Sequence, residues 1–384
     1  MKVIETTGQL NDFCTSLAKQ EFITVDLEFH REKTYYAKLG LIQVACLGDE
    51  AVIDPLAPNI CLDVFFSLLQ NPAVTKVFHS CRQDIEILYL LTGAIPAPLF
   101  DTQVAAQVCG LGASISYENL VKHILKIDLD KSSRLTNWCS RPLNPKQLEY
   151  AIADVTHLVH IYKSLREQLA ASGREHWIDE EMQALLSPET YAVNPDEVWH
   201  KIRHHSHNAK YLTLLRDLAR WRELRAQSKD IPRQTVIKDD CLLNIAASRP
   251  HSVEELGQIR NIRKDIISGR LAKELVDIVN AAEQYTAAEY VRLPKEKKAV
   301  AGSAELYELL KLLLNIKSRQ EGVVARLIAS DEELKSFAAG EDENHPVLQG
   351  WRLEIFGRDA LRLRNGTLSI RFNKEQKTID FIEC

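Results

Sequence analysis

The chain has few of the features that mark secreted, membrane-embedded or low-complexity proteins. Its 384 residues include only 15 glycines and 13 prolines, and no tract is biased toward a few residue types. No apolar run approaches the length of a membrane span, and the first residues alternate polar and charged types, unlike a signal peptide. We therefore expect a globular protein that is not bound to a membrane.

Paired cysteines are also missing. The eight cysteines are scattered, and no C-x-x-C motif occurs anywhere in the chain. This spacing argues against a zinc site and against a secreted disulfide framework. Free thiols in a reducing cytoplasm are the simplest interpretation, so we expect a cytoplasmic protein.

Positive charge is scarce in the first half of the chain. Residues 1–195 carry 16 Lys and Arg against 24 Asp and Glu, whereas residues 196–293 carry 17 against 14. Sequence drift could produce such a charge asymmetry. The asymmetry would also suit an acidic site that holds metal ions, with a polyanionic substrate held by the neighbouring domain.

Two acidic residues lie next to each other on one predicted strand face. Over residues 22–29, apolar residues alternate with Thr24, Asp26 and Glu28, which is the period of a β-strand. Two carboxylates at this spacing repel each other unless water screens them, a proton is shared or a cation lies between them. Taken alone, the pattern also fits a solvated strand face.

Two further acidic residues lie on predicted helices. Asp84 is in the first turn of a helix over residues 81–91, where a carboxylate also serves as a cap. A helix that begins at Asn144 and Pro145 and stops at Gly173 carries Asp154 beside its apolar stripe, one turn after Tyr150. Asp101 opens another helix, and we interpret it as a cap.

Four convergent carboxylates would form a metal site. Asp26, Glu28, Asp84 and Asp154 together could hold two divalent cations, and hard oxygen ligands favour Mg²⁺ or Mn²⁺. Such a pair of ions polarises a phosphodiester and activates water. Tyr150 would orient that water, since a phenol is a poor base at neutral pH.

These segments resemble the three motifs of the DEDD exonuclease superfamily. The motifs are VDLEF at residues 25–29, FHSCRQDIEIL at residues 78–88 and LEYAIADV at residues 148–155. The tyrosine in the last motif matches the DEDDy branch. The sequence around them is similar to the ribonuclease D family, including LGLIQ at residues 39–43 and LTNW at residues 135–138.

The resemblance implies a three-domain architecture. We predict a ribonuclease-H-like α/β exonuclease domain with a mixed sheet over residues 1–195, a helical HRDC domain over 207–290 and an HRDC-like bundle over 300–384. From the turn at Asn365 and Gly366, we expect this last bundle to end in a β-hairpin or three-stranded ribbon starting at Leu361. Asn261 departs from the HRDC pattern, in which a glycine is common.

The resemblance also implies an activity and a substrate. The expected reaction is 3′–5′ hydrolysis of RNA from a free 3′-hydroxyl end, with Asp26, Glu28, Asp84, Tyr150 and Asp154 as catalytic residues. Precursors of tRNA are the implied partners, and we expect a monomer. Candidate RNA contacts have aromatic or basic side chains that could stack on bases or hold phosphates; they are Phe29, His30, Tyr35, Tyr36, His79, Arg134 and Arg141.

Two alternatives remain open at the level of the sequence. A DNA-directed exonuclease of the Werner type shares the motifs, and a non-catalytic nucleic-acid-binding protein could retain the domains. The four carboxylates contain no feature that recognises a 2′-hydroxyl group, so they do not distinguish RNA from DNA. His200 and His204 have metal-ligand spacing on a predicted helix, but we favour a solvated or phosphate-facing patch because no carboxylate or thiolate accompanies them.

Overall fold

The structure is a computed structural model that describes residues 2–129, 136–292 and 300–384. Its strands form a large sheet and a separate ribbon. They are β1 (Lys2–Ile4), β2 (Phe22–His30), β3 (Lys38–Cys46), β4 (Asp49–Ile53), β5 (Thr75–Phe78), β6 (Leu99–Asp101), β7 (Leu368–Asn373) and β8 (Thr378–Glu383).

Helices precede, separate and follow these strands. Those of the first half are α1 (Thr7–Leu17), α2 (Asp63–Leu69), α3 (Arg82–Thr92), α4 (Thr102–Val108), α5 (Tyr117–Leu125), α6 (Pro145–Ser172) and α7 (Glu175–Leu186). Those of the second half are α8 (Ala209–Lys229), α9 (Arg233–Val236), α10 (Asp239–Ser248), α11 (Val253–Leu256), α12 (Lys264–Ile267), α13 (Arg270–Ala282), α14 (Ser303–Glu321), α15 (Ala325–Ile328), α16 (Asp331–Ala338), α17 (Gly350–Arg352) and α18 (Arg358–Arg364), with a π-helical turn (Leu353–Gly357) between the last two.

The large sheet is mixed, as predicted. Its strand order is β1-β4-β3-β2-β5-β6. The β3 and β4 strands are antiparallel, whereas β2 pairs with β5, β5 with β6 and β1 with β4 in parallel. A short link between β3 and β4 permits only the antiparallel arrangement. The acidic strand β2 is therefore an interior strand, paired along both of its edges.

The described residues form two compact units. The first contains residues 2–28, 40–190 and 300–384, and the second contains residues 29–39 and 191–292. Most of the sheet and the C-terminal helices thus belong to one unit, whereas the end of β2 and the start of β3 belong to the other. The boundaries 1–195, 207–290 and 300–384 stay a prediction.

One hydrophobic core in the first unit joins the helices around the sheet to the C-terminal helices. Trp177 on α7 and Trp351 on α17 stack with their ring centroids 4.4 Å apart, and Trp351 is only 1% exposed. The indole N–H of Trp351 donates to Glu181 at 3.0 Å. The buried side chains of α14 to α18 and those of α4 to α7 form one continuous cluster. The C-terminal helices therefore complete the core of α4 to α7.

The second unit is a helical bundle of α8 to α13. Its core contains leucines from three of these helices, Leu218, Leu242 and Leu275, each of them fully buried. Asn261 lies between α11 and α12 with φ of 65°, the left-handed conformation that favours glycine, and its side chain donates to Asp240 at 2.9 Å. The departure from the family pattern therefore leaves the backbone turn intact.

Three local predictions need correction. Leu361–Arg364, predicted as a strand, belongs to α18 because Phe356, Ala360 and Leu363 bury one helical face, so the ribbon has only strands β7 and β8. Helix α7 was not predicted. The helix predicted to carry His200 and His204 is only a 3₁₀ turn at Val198–Lys201, and His204 lies beyond its end. The rings of both histidines lie against the ring of Trp199.

Within the described ranges, no helix has the length and apolar character that crossing a membrane requires.

Candidate active site

Strand β2 presents the first two acidic residues, as predicted. Val25 and Leu27 are buried on one face, while Asp26 and Glu28 lie partly buried on the other. Strand β5 pairs with Phe22–Thr24, directly before the two carboxylates, and β3 neighbours the other edge of β2. Asp26 and Glu28 are therefore held on a rigid element, which a precise metal site requires.

Helix α6 presents Tyr150 and Asp154. The Asn144 side chain accepts from the backbone of Gln147, the Gln147 side chain accepts in return, and Pro145 occupies the first turn, so the helix begins as predicted. The Tyr150 hydroxyl is hydrogen-bonded to the Asp154 carboxylate one turn later.

Carboxylates from both elements meet. One oxygen of each of Asp26, Glu28 and Asp154 lies within 4.8 Å of the other two. A divalent cation with metal–oxygen distances of about 2.0–2.6 Å can bridge oxygens at this spacing. Hard anionic oxygens suit Mg²⁺, Mn²⁺ or Ca²⁺, so the residues present fit a divalent cation.

Asp84 lies beside this cluster rather than inside it. It is in the first turn of α3 and is 7% exposed. Burial and the negative charges of Asp26 and Asp101 raise the pKa of Asp84 well above its usual range. Its carboxylate is therefore close enough to Asp26 for the charge of one to affect the pKa of the other.

Asp101 is a cap, as predicted. Its side chain accepts from the backbone of Gln103 at the start of α4 and from Ser80 and Cys81 just before α3. It thereby fixes the turn that places Asp84 beside the cluster.

The acidic cluster concentrates negative charge among buried groups. Burial raises the pKa of Asp26 to about 7. Burial and the charges of Asp154, Glu28 and Asp26 also raise the pKa of Tyr150, which keeps its phenol protonated. A cation held by these oxygens would offset the concentrated negative charge.

Two residues of this site were missed by the sequence reasoning. The buried hydroxyl of Thr24 on β2 donates to the carbonyl of Val155 at 2.9 Å and lies 3.2 Å from that of Ala45. The Tyr117 hydroxyl donates to the Ala153 carbonyl at 2.9 Å. Both contacts fasten α6 on either side of Asp154. Only their positions in the fold reveal them, since neither forms a motif.

Arg141, predicted to hold phosphate, has a structural role instead. Its guanidinium donates twice to Asp54, at 2.6 Å each, and to the carbonyls of Trp138, Ser140 and Gly40 at 2.7–2.9 Å. These contacts use all five N–H donors of the side chain. They fix the loop before α6, in which Trp138 lies 6.1 Å from the ring of Tyr150.

Tyr35, predicted to stack on bases, is buried in the second unit. It is 5% exposed, and its hydroxyl donates to Glu223. Tyr35 therefore packs inside the protein, and the prediction that it stacks on bases is wrong. Phe29, His30 and Tyr36 are partly exposed.

The remaining two candidates are His79 and Arg134. Nδ1 of His79 is hydrogen-bonded to the Thr102 hydroxyl at 3.0 Å, and its ring lies 5.5 Å from that of Tyr117. Burial lowers the pKa of His79, which leaves the ring neutral. Arg134 lies outside the described residues.

Comparisons with known proteins agree with this geometry. Residues 1–170 match the 3′–5′ exonuclease family, and residues 212–279 match the HRDC domain family. Ribonuclease D of Granulibacter bethesdensis is 42% identical over 97% of this chain and 95% of its own length. Ribonuclease D of Zymomonas mobilis is 39% identical over 99% of this chain and 98% of its own length.

A solved structure is similar along nearly the whole length. The crystal structure of Escherichia coli RNase D, an exoribonuclease involved in structured RNA processing, superposes with a TM-score of 0.83 at 28% identity, covering 95% of this chain and 98% of that one. The motifs, the mixed sheet and the full-length similarity agree. The chain therefore belongs to the ribonuclease D family of 3′–5′ exoribonucleases.

Proposed function

We propose that Asp26, Glu28, Asp84 and Asp154 hold two divalent cations, Mg²⁺ or Mn²⁺, at which RNA is hydrolysed from a free 3′-hydroxyl end. The observation that carries this proposal is the convergence of Asp26, Glu28 and Asp154 within 4.8 Å. Asp84, next to Asp26 and with a raised pKa, supplies the ligand of the second ion. When bound, the cations polarise the scissile phosphodiester and activate the attacking water.

Tyr150 orients that water. Its hydroxyl donates to Asp154, so its oxygen remains able to accept a hydrogen bond from water. The raised pKa of Tyr150 keeps the phenol protonated at neutral pH, so it positions the water and does not act as the base. Asp154 thus has two roles, as a ligand and as the partner that fixes the direction of Tyr150.

The substrate is RNA with a free 3′ end, and the products are nucleoside 5′-monophosphates. The family supports RNA, and the structured-RNA role of the E. coli relative supports tRNA precursors as substrates. In this proposal Glu28, the second residue of the acidic pair, contacts the terminal 3′-hydroxyl. Phe29, His30 and Tyr36 remain candidates for stacking on the last bases.

The domain boundaries are part of this proposal. The HRDC match at residues 212–279 falls within the predicted second domain and supports it. The predicted third segment, by contrast, shares its core with α4 to α7. We therefore assign RNA binding outside the catalytic site to the second unit, which carries an excess of Lys and Arg.

One assay tests substrate and chemistry together. The purified protein is incubated with RNA and DNA oligomers that end in either a 3′-hydroxyl or a 3′-phosphate, with Mn²⁺ or with a chelator. We expect 5′-monophosphates from the 3′-hydroxyl RNA only, and none with the chelator. Equal degradation of DNA would support the Werner-type alternative, and degradation in chelator would refute the metal assignment.

A further inference from the structure

The segment that follows the acidic strand belongs to the helical unit and not to the exonuclease unit. Residues 29–39 cluster with residues 191–292, although Phe29 is bonded directly to Glu28. The same strand, β2, therefore carries two proposed metal ligands and then continues into the other unit. We call residues 29–39 the anchor segment.

Tyr35 fixes the anchor segment inside the helical bundle. Its hydroxyl donates to Glu223, a residue of α8 that is 0% exposed. The same oxygen accepts from Gln227 at 3.2 Å and from Arg233 at 2.9 Å. The Arg233 guanidinium also lies 4.8 Å from the centre of the Tyr35 ring and donates to Glu223. The buried carboxylate of Glu223, the guanidinium of Arg233 and the phenol of Tyr35 thus satisfy one another's hydrogen-bonding groups.

The backbone of the anchor segment is held as well. The Asp230 carboxylate accepts from the backbone N–H groups of Tyr35 and Tyr36, at 3.0 and 2.9 Å. Asp230 itself ends α8 in the left-handed conformation, with φ of 48°, which turns the chain toward Arg233. Inside the segment, Arg31 donates to the Tyr35 carbonyl at 2.9 Å. Side chain and backbone are therefore fixed at the same point.

We infer that the helical unit, besides its proposed role in RNA binding, positions the active-site strand by holding the anchor segment through Tyr35. The proposal rests on the proposed metal-dependent hydrolysis. Tyr35 is then a positioning residue. The partners of its hydroxyl are Glu223, Gln227 and Arg233, and it acts by fixing the strand end that follows Asp26 and Glu28. Displacement of reacting groups by about 1 Å can reduce a rate about 100-fold, so modest release of the segment is measurable.

The test uses the full-length chain with the substitutions Tyr35→Phe and Tyr35→Ala. Tyr35→Phe removes the hydroxyl but leaves the Glu223–Arg233 ion pair, so the bundle still folds. The matched control is Tyr211→Phe, a tyrosine on α8 that takes part in none of these contacts. Asp154→Asn reports separately on the metal chemistry. The probes are a 3′-hydroxyl RNA oligomer and Mn²⁺ alone.

The expected result is a split between turnover and binding. We expect kcat to fall about 3-fold in Tyr35→Phe and about 30-fold in Tyr35→Ala, with KM and metal-free RNA affinity within about 2-fold of the wild type. Mn²⁺ affinity, measured by calorimetry without RNA, should weaken in the same order. Tyr211→Phe should match the wild type in every measurement.

Each contrary outcome has a distinct meaning. Unchanged kcat and Mn²⁺ affinity in Tyr35→Ala, with Asp154→Asn inactive, would overturn the positioning role alone. A loss of RNA affinity without a loss of kcat would also overturn it, because the segment would then act in binding. Wild-type activity in Asp154→Asn would instead refute the proposed function on which this inference depends.

Discussion

Asp26 shows at the scale of one residue how a buried carboxylate costs stability. Its pKa is raised to about 7 by burial, whereas an unfolded chain ionises it near 3.8. Between these two values the folded state binds the proton more tightly than the unfolded state does, so this group reduces stability as the pH rises from about 4 to 7. Above pH 7 the full cost remains.

Asp26→Asn should therefore stabilise the metal-free protein at high pH. We expect its melting temperature in chelator to exceed that of the wild type by several degrees at pH 8, and by much less at pH 5. Mn²⁺ should then raise the melting temperature of the wild type more than that of the variant. Scanning calorimetry at both pH values measures this; a variant that is less stable than the wild type at pH 8 would contradict the burial account.

Thr24 supplies a second residue-scale prediction. Its hydroxyl joins β2 to the backbone next to Asp154, so Thr24→Val keeps the shape of the side chain and removes the link. We expect a loss of about 1 kcal/mol of stability and a fall of about 10-fold in kcat at unchanged KM. Thr24→Ser, which retains the hydroxyl, should recover most of the rate. Equal rates for the Val and Ser variants would show that the link does not position the ligands.

At the scale of elements, hydrophobic periodicity and helix-capping residues predicted β2 and α6 correctly. The alternation around Asp26 gave β2, and the cap at Asn144 with the stop at Gly173 gave α6 nearly to the residue. The strand predicted at Leu361 and Leu363 was wrong. Their alternation also fits a helix, and Phe356 completes the buried face of that helix. Short apolar runs are ambiguous until their packing partners are known.

The roles of individual polar residues were harder to predict than the elements that carry them. Arg141 and Tyr35 have the chemistry of RNA contacts, but their partners, Asp54 and Glu223, lie far away in the sequence. A motif reveals residues whose chemistry and spacing predict that they converge. It does not reveal which arginine or tyrosine the fold itself uses.

Substitution of Arg141 tests whether this arginine has a structural role or contacts RNA. Arg141→Gln leaves Asp54, which is 7% exposed, without its cation, and we expect a loss of about 3–5 kcal/mol in the free energy of unfolding. The control Arg166→Gln, from an exposed pair with Glu175, should cost less than about 1 kcal/mol. Urea denaturation measures both. If Arg141→Gln keeps full stability but reduces the salt dependence of RNA binding, phosphate contact is its function after all.

At the scale of the molecule, the order of segments along the chain does not match the division into units. The C-terminal helices share a core with the exonuclease helices, and the anchor segment belongs to the helical bundle. Deleting residues 196–384 would therefore expose the core around Trp177 as well as remove the HRDC unit. Such a deletion cannot measure RNA affinity alone.

Trp351→Ala tests the shared core. We expect a loss of about 3–5 kcal/mol in the stability of the exonuclease unit, because the stacked partner of Trp177 and its hydrogen bond to Glu181 disappear. Phe372→Ala, at a position that is 62% exposed, is the control and should change stability by less than about 0.5 kcal/mol. Protease resistance of residues 1–190 reports the effect. Unaltered resistance in Trp351→Ala would mean that the two parts fold independently.

The most direct measurement compares two carboxylates on the same helix. Asp154 belongs to the cluster with Asp26 and Glu28, whereas Glu149 is exposed on α6. With saturating Mn²⁺ and a 3′-hydroxyl RNA, Asp154→Asn should release 5′-monophosphates about 1,000-fold more slowly than the wild type, while Glu149→Gln keeps the wild-type rate and both remain folded. A wild-type rate in Asp154→Asn would contradict the metal site.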